Sequence, residues 1–405
     1  MESNRSDILF RTRLGAAAGH ERQLLGARDE LAIHLDATPG ASAVETGIWE
    51  RLEAFLDEHR SAGRIVAGYL GYELLHASER VARLPRGAEA VECVPDVHLI
   101  AFGDEEDLEV GAPGRPRPMV GDPALLQSVR TDFTRDEYEQ RVSRAREDIL
   151  AGEFFEVSFT QGLTAPCALD PVTLHERLHD LSPAPAASLL VTPAAAVVSN
   201  SPEILLVSRD GRLESWPIKG TRRRDLDPRC DADLADELRG SVKDGAELAM
   251  IIDVTRNDLG RVAATGSVRV EDAARLMTLA NVHHLEAVVS AEAREGTSIV
   301  DAIRAIFPGG SVTGAPKVRA MQEISQLEVS RRGPYCGAMA IFEPDGDAWL
   351  SVGIRTGVLA GGLLRLHSGG AVTVDSDPAH EYDEMLAKAA ALLAAVSVTR
   401  GEGGR

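Results

Sequence analysis

The stretch Ile204–Arg222, ILLVSRDGRLESWPIKGTR, reads as a β-hairpin: an apolar run to Val207, a turn at Asp210 and Gly211, and a return strand from Leu213 to Ile218. If Asp210 and Gly211 form a two-residue loop, Arg209 faces Arg212. The same count sets Glu203 opposite Ile218 and Pro202 opposite Lys219. Glu203 and Lys219 are then neighbours on adjacent strands but point to opposite faces, whereas one extra residue at the turn sets them directly opposite each other. An acid and a lysine brought together from 16 positions apart suit proton transfer beside nucleophilic attack, or form an ordinary cross-strand ion pair. Beyond Lys219, Gly220 lets the backbone turn tightly, and Arg222, Arg223 and Arg224 form either an anion clamp or a solvated basic turn.

The 405 residues are 44% hydrophobic, enough for a large core. A formal charge of -20 argues against nucleic acid or an anionic membrane as the main partner, so an anionic ligand needs a dedicated site. No apolar run approaches the ~20 residues of a membrane span, and MESNRSDILFRTR lacks the order of a secretory signal. The chain is therefore expected in the cytoplasm. Cys93, Cys167, Cys230 and Cys336 lie far apart, which predicts neither a disulfide framework nor a zinc knuckle. None occupies a G-x-C-x-G elbow.

An apolar run, Ile65–Leu75, marks the N-terminal region, and the Pro- and Gly-rich stretch Gly111–Pro118 is the candidate boundary. Thr134 and Glu137 predict a capping box for a helix with Tyr138, Val142, Ala145 and Ile149 on one face, ended by Gly152. Phe155, Val157 and Phe159 then alternate as a strand. Glu247 precedes a strand-like run, Leu248–Ile252. Glu381, Glu384 and Lys388 are spaced to share one helix face, as a wet ion-pair stripe or, with Glu247, as a carboxylate site for Mg²⁺. The glycine-rich segments Phe307–Lys317 (FPGGSVTGAPK) and His367–Val374 (HSGGAVTV) offer free backbone N–H groups to an anion or form tight turns. Arg355, in GIRTG, supplies a further guanidinium.

These pieces closely resemble the chorismate-utilising enzymes: SPE at Ser201–Glu203, PIKGTR at Pro217–Arg222, DVTRNDLGRV at Asp253–Val262, FPGGSVTGAPKVRAM at Phe307–Met321, RRGPYCGAM at Arg331–Met339 and DSDPAHEYDEMLAKA at Asp375–Ala389. The resemblance implies an α/β sandwich of two packed antiparallel sheets with flanking helices. Residues 1–120 would contribute to the sandwich, 130–395 form the chorismate-binding catalytic region and 396–405 a tail. It further implies that Glu203 is a general acid for the departing C4 hydroxyl, and that Glu247 and Glu384, with Glu381 nearby, hold Mg²⁺. Arg355 and Tyr335 contact the enolpyruvyl side. Lys388 with Gly369 and Gly370 anchor a carboxylate, and Thr221 and His284 position groups in the pocket.

Two positions select among the family's reactions. Relatives that activate water carry a lysine where this chain has Glu156. Anthranilate synthases usually carry PIAGT where this chain has PIKGT, and the lysine resembles that of aminodeoxychorismate synthases. The implied reaction is amination of chorismate at C4 through a covalent bond to Lys219, whose amine is expected to be kept neutral by Mg²⁺ and the arginines. Without a cysteine elbow the chain implies a separate glutamine amidotransferase subunit, with free ammonia serving weakly.

Overall fold

Strand pairing runs without a break, every neighbour antiparallel, through Arg269–Thr278, Val282–Glu292, Arg212–Trp216, Ile204–Arg209, Ala348–Val352, Ala338–Phe342, Ile65–Leu70 and Val97–Glu109. It continues through His20–Ile33, Leu9–Thr12, Ala186–Val191, Ala196–Ser201, Thr356–Ala360, Leu363–Val372 and Glu156–Pro166. The structure is a computed structural model describing residues 8–16, 20–35, 44–83, 94–109 and 128–396; the candidate boundary Gly111–Pro118, Cys93 and residues 397–405 lie outside them.

This ladder folds back on itself, so the two packed sheets of the expected sandwich are its two halves. Alternating side chains separate accordingly. Met339 and Ile341 join Phe10, Tyr69, Ile100, Leu190, Val197 and Val358 in a core built from strands of both halves. The intervening Ala338, Ala340 and Phe342 face the helices Ile48–Ser61 and Ile299–Ile306. On the other half Val157, Phe159, Leu364 and Leu366 pack under Arg135–Leu150 and Pro378–Val396. Two apolar faces per strand explain why these segments read as continuous apolar runs rather than clean alternation. N-terminal strands pair directly with later ones, Leu9–Thr12 with Ala186–Val191 and Ile65–Leu70 with Ala338–Phe342.

The capping box at Thr134 and Glu137 forms, and Tyr138, Val142 and Ala145 are buried. Four expectations differ. The strand after that helix starts at Glu156, leaving Phe155 70% exposed, while Phe154 takes the core position. Leu248–Ile252 is not a strand but part of the helix Val242–Gly260, capped by the Ser241 side chain on the Asp244 N–H. Gly369 and Gly370 lie inside the strand Leu363–Val372, opposite Thr160 and Phe159, not in a turn. The hairpin forms with the Arg209–Arg212 pair as counted, but its register shifts within the strands: Val207 faces Glu214, yet Ile204 faces Trp216. That extra residue sends both Leu205 and Leu206 to the helix side, the mark of a β-bulge. No helix of the described residues is long and apolar enough to cross a membrane, and Cys167, Cys230 and Cys336 are free.

Candidate active site

Pro217 has no N–H to give, so pairing with Ile204–Arg209 stops at Trp216 and the chain continues as Ile218–Arg223, paired to Val282–Glu292. Gly220 does not make a turn there. It forms a bulge, with φ of 67°, between the Lys219–Leu285 and Thr221–His284 pairs. A Cβ on Gly220 would stand 2.8 Å from Leu238 Cδ1, so only glycine allows this approach. The bulge aims Lys219 inward, its side chain 9% exposed.

Lys219 Nζ donates to Glu156 Oε1 at 2.8 Å and lies 4.0 Å from Glu247 Oε2. Glu156 is fully buried, and its Oε2 has no hydrogen-bond partner. Burial by itself lowers the Lys219 pKa, but Glu156, Glu247 and Glu203 outweigh it and the net direction is upward. The part of the expectation that gave the arginines, beside Mg²⁺, a share in keeping this lysine neutral is corrected. The arginines point elsewhere: Arg222 pairs with Glu237 and Asp244, Arg224 grips Asp231 at 2.7 Å, and Arg223 is exposed. Two of the three thus pin the segment Pro228–Gly260 to the strand rather than forming an anion clamp.

Glu203, 3% exposed, precedes the bulged strand. The bulge shifts the register away from the alternative that would have set it opposite Lys219, so the two are not cross-strand partners, although each feels the other's charge. The carboxyl accepts from Ser311 Oγ at 2.6 Å and from the Ile218 N–H. Burial pushes its pKa up to about 7, against the pull of Ser311 and Lys219. A carboxyl poised there holds a proton that it can deliver near neutrality.

His284, Thr221 and Arg355 come together as a unit. His284 Nδ1 is 2.9 Å from the Gly220 carbonyl and 3.1 Å from Thr221 Oγ1. The carbonyl accepts only, which assigns the proton to Nδ1 and leaves Nε2 to accept from Arg355 Nη2 at 3.2 Å. Burial and Arg355 pull the His284 pKa down to about 3, so the ring is neutral. Arg355 has a φ of 51°, rare for a side chain of that size, and burial pulls its guanidinium down to about 10. Among the described residues no carboxylate pairs with it. A cation held in a strained, partly dry position without an acid is built to receive an anion.

Glu381 and Glu384 rise from the helix Pro378–Val396 beside Gly370, where a Cβ would stand 3.0 Å from Glu381 Oε2 and 3.8 Å from Glu384 Oε1. Ser376 holds Glu381 at 2.7 Å, and Lys388 Nζ bonds both Glu384 Oε1 and the Gly369 carbonyl. Lys243, 3.8 Å from Glu247, acts electrostatically on Glu381 and Glu384 too, so all three acids face one region. An all-oxygen, partly buried donor set over a space kept clear by glycine fits a hard cation such as Mg²⁺. The three are not drawn into contact: among the described residues the acidic and histidine trio with ligand atoms within 4.8 Å is Asp29, Glu58 and His59. Burial raises the pKa of Glu247 and of Glu381, whereas Lys388 lowers that of Glu384.

Tyr335 is not joined to Arg355 by a direct bond. It stacks on His367, ring centroids 5.7 Å apart. Sequence reasoning passed over Ser311 and Lys243. Ser311 lay inside the quoted FPGGSVTGAPK segment, but only the fold brings it to Glu203. A surface cavity of about 280 Å³ against the Asp210–Gly211 turn and the helix Ile48–Ser61 shares no residue with this cluster.

The chain is 42% identical over 305 residues to an anthranilate synthase component 1 of Haloarcula marismortui, covering 74% of this chain and 62% of that protein. It is 45% identical over 288 residues to an aminodeoxychorismate synthase of Streptomyces griseus, covering 71% and 40%. It thus spans less than two thirds of the length of either relative. Its fold matches the crystal structure of anthranilate synthase component I from Streptococcus pneumoniae with a TM-score of 0.76 over 93% of this chain and 92% of that one, at 23% identity. Residues 14–394 match the chorismate binding enzyme family, a range that holds every strand of the ladder except Leu9–Thr12, and the chain belongs to that family.

Proposed function

We propose that this enzyme aminates chorismate at C4, giving 4-amino-4-deoxychorismate with ammonia from a glutamine amidotransferase subunit. The observation that carries this reading is the inward-facing Lys219, placed by the Gly220 bulge against Glu156 within electrostatic reach of Glu203. Lys219 begins as an ammonium and passes a proton to Glu156 Oε1. The freed amine then forms a bond to C2 while both conjugated ring double bonds shift by one position and the C4–O bond breaks. Glu203 gives its proton to the departing hydroxyl, which leaves as water. Ammonia next attacks C4, both double bonds shift back, and the Lys219 amine is expelled from C2 and regains its proton from Glu156. Glu247 and Glu384, with Glu381 beside them, would hold Mg²⁺, which when bound would supply positive charge for the ring carboxylate and the electron-rich transition state.

Arg355, with His284 and Thr221 behind it, is the carboxylate receptor on the enolpyruvyl side, and Lys388 with Gly369 and Gly370 border the other anionic group. Arg355→Met should raise the KM for chorismate about a hundredfold, the worth of a lost charge-assisted fork. Its unfolding midpoint should not fall, because the variant removes a cation that lacks an acid partner. A melt clearly below wild type would show that Arg355 serves the fold instead.

The second reading is amination at C2, favoured by the relatives named anthranilate synthase. Incubating the protein with chorismate, Mg²⁺ and ammonium separates the two. The expected product is 4-amino-4-deoxychorismate, which an added lyase converts to 4-aminobenzoate; fluorescent anthranilate forming without a lyase overturns the first reading.

A further inference from the structure

Among the described residues Glu203 has one side-chain hydrogen-bond donor, the Ser311 hydroxyl, and that hydroxyl sits in a well-anchored place. Ser311 occupies a single short turn, Gly310–Val312. Arg332 Nη1 donates to the Val312 carbonyl at 2.8 Å and Thr313 Oγ1 to the Gly309 carbonyl at 2.8 Å. Gly310 lies so close to the helix Val242–Gly260 that a Cβ would stand 2.8 Å from Val254 Cγ1. The turn is therefore fixed on three sides, and Ser311 Oγ has little freedom relative to Glu203 Oε1. We propose that Ser311 is a positioning residue for Glu203, fixing the orientation of its carboxyl and stabilising the carboxylate as the proton leaves. The proposal rests on the reading of Glu203 as the general acid.

Proton transfer turns a neutral carboxyl into a buried anion, and a donor aimed at that oxygen strengthens as charge develops. The other groups facing Glu203 are few. Lys219, on Ile218–Arg223, favours the anion; Glu286, on Val282–Glu292 and paired to Arg275, opposes it. The Ile218 N–H is a backbone donor that no side-chain change removes. Ser311 is thus the adjustable part of the carboxyl's surroundings.

The test compares wild type, Ser311→Ala and Ser311→Thr by the pH dependence of kcat/KM for chorismate. In parallel the Glu203 carboxyl is titrated by infrared difference spectroscopy without substrate, its band assigned with Glu203→Gln. Because the protonated form is the active one, activity falls as pH rises through the Glu203 pKa. Losing a donor to the anion should move that alkaline limb and the infrared midpoint up by about one pH unit, with a roughly tenfold lower rate at the optimum. Ser311→Thr should restore all three. An unmoved infrared midpoint with a uniformly lower rate overturns the role of Ser311. A moved midpoint with an unmoved rate limb overturns Glu203 as the acid.

Discussion

Lys219→Ala is expected to stop amination at C4, lowering turnover by at least about a thousandfold, as loss of a covalent nucleophile does. Any residual product should carry nitrogen at C2, which the lysine no longer blocks. Chromatography of the products formed from chorismate and ammonium measures both, and an unchanged product and rate would refute the covalent role. The same change should destabilise the fold. Glu156 already lacks a partner at Oε2, and Lys219 is the donor to Oε1. Its removal strands a fully buried carboxylate, at a cost of about 3 kcal/mol in urea unfolding. Adding Glu156→Gln to Lys219→Ala should recover most of that stability but none of the activity. A double variant no more stable than the single one would mean that the pair does not govern stability.

Arg332→Met is expected to have the largest effect on stability alone, about 3–5 kcal/mol. Arg332 reaches both Glu328 oxygens, Oε1 at 2.6 Å and Oε2 at 3.0 Å, and donates to the Val312 and Ser158 carbonyls. Glu328 also accepts from the Thr160 N–H and hydroxyl. Both residues are under 5% exposed, so neither charge finds water when the other is lost. The guanidinium also lies over Tyr72, 4.6 Å from the ring centroid. Because these bonds join the strand of Glu156 to the turn of Ser311, the variant should lose activity beyond its loss of stability. Arg332→Lys keeps charge without the fork and should fall between the two. A change below about 1 kcal/mol would mean that the pair is replaceable by packing.

The features legible in the sequence were those set by neighbours in the chain. The Thr134 cap, the Asp210–Gly211 turn and the helical spacing of Glu381, Glu384 and Lys388 each depend on residues within a few positions. The helix carrying Glu247 was misread because Leu248–Ile252 alone fits a strand as well as a helix. The longer window resolves it, since Leu248, Ile251, Ile252, Thr255 and Leu259 fall on one helical face. The hairpin register escaped because Leu205 and Leu206 both need apolar surroundings, which only the helix packed against them supplies. The arginines' part in setting the charge of Lys219 was misjudged for a related reason. Adjacent arginines were visible in the sequence, but the strand directs them to Asp231, Glu237 and Asp244, while the acids that reach Lys219 come from 63 and 28 positions away.

The ladder begins near Val282–Glu292, whose partner strand carries Lys219, and its last long strand is Glu156–Pro166, edged by the two-residue strands Arg130–Thr131 and Gly314–Ala315 and starting at Glu156. The bond between those two side chains is therefore a clasp between opposite ends of the sheet. A molecule with every neighbouring strand pair formed but its ends still apart has its hydrogen-bonded framework and no working centre. Catalytic competence in this protein is in that sense a gauge of closure, and during refolding it should return only with the last long-range contacts, after backbone structure has already recovered.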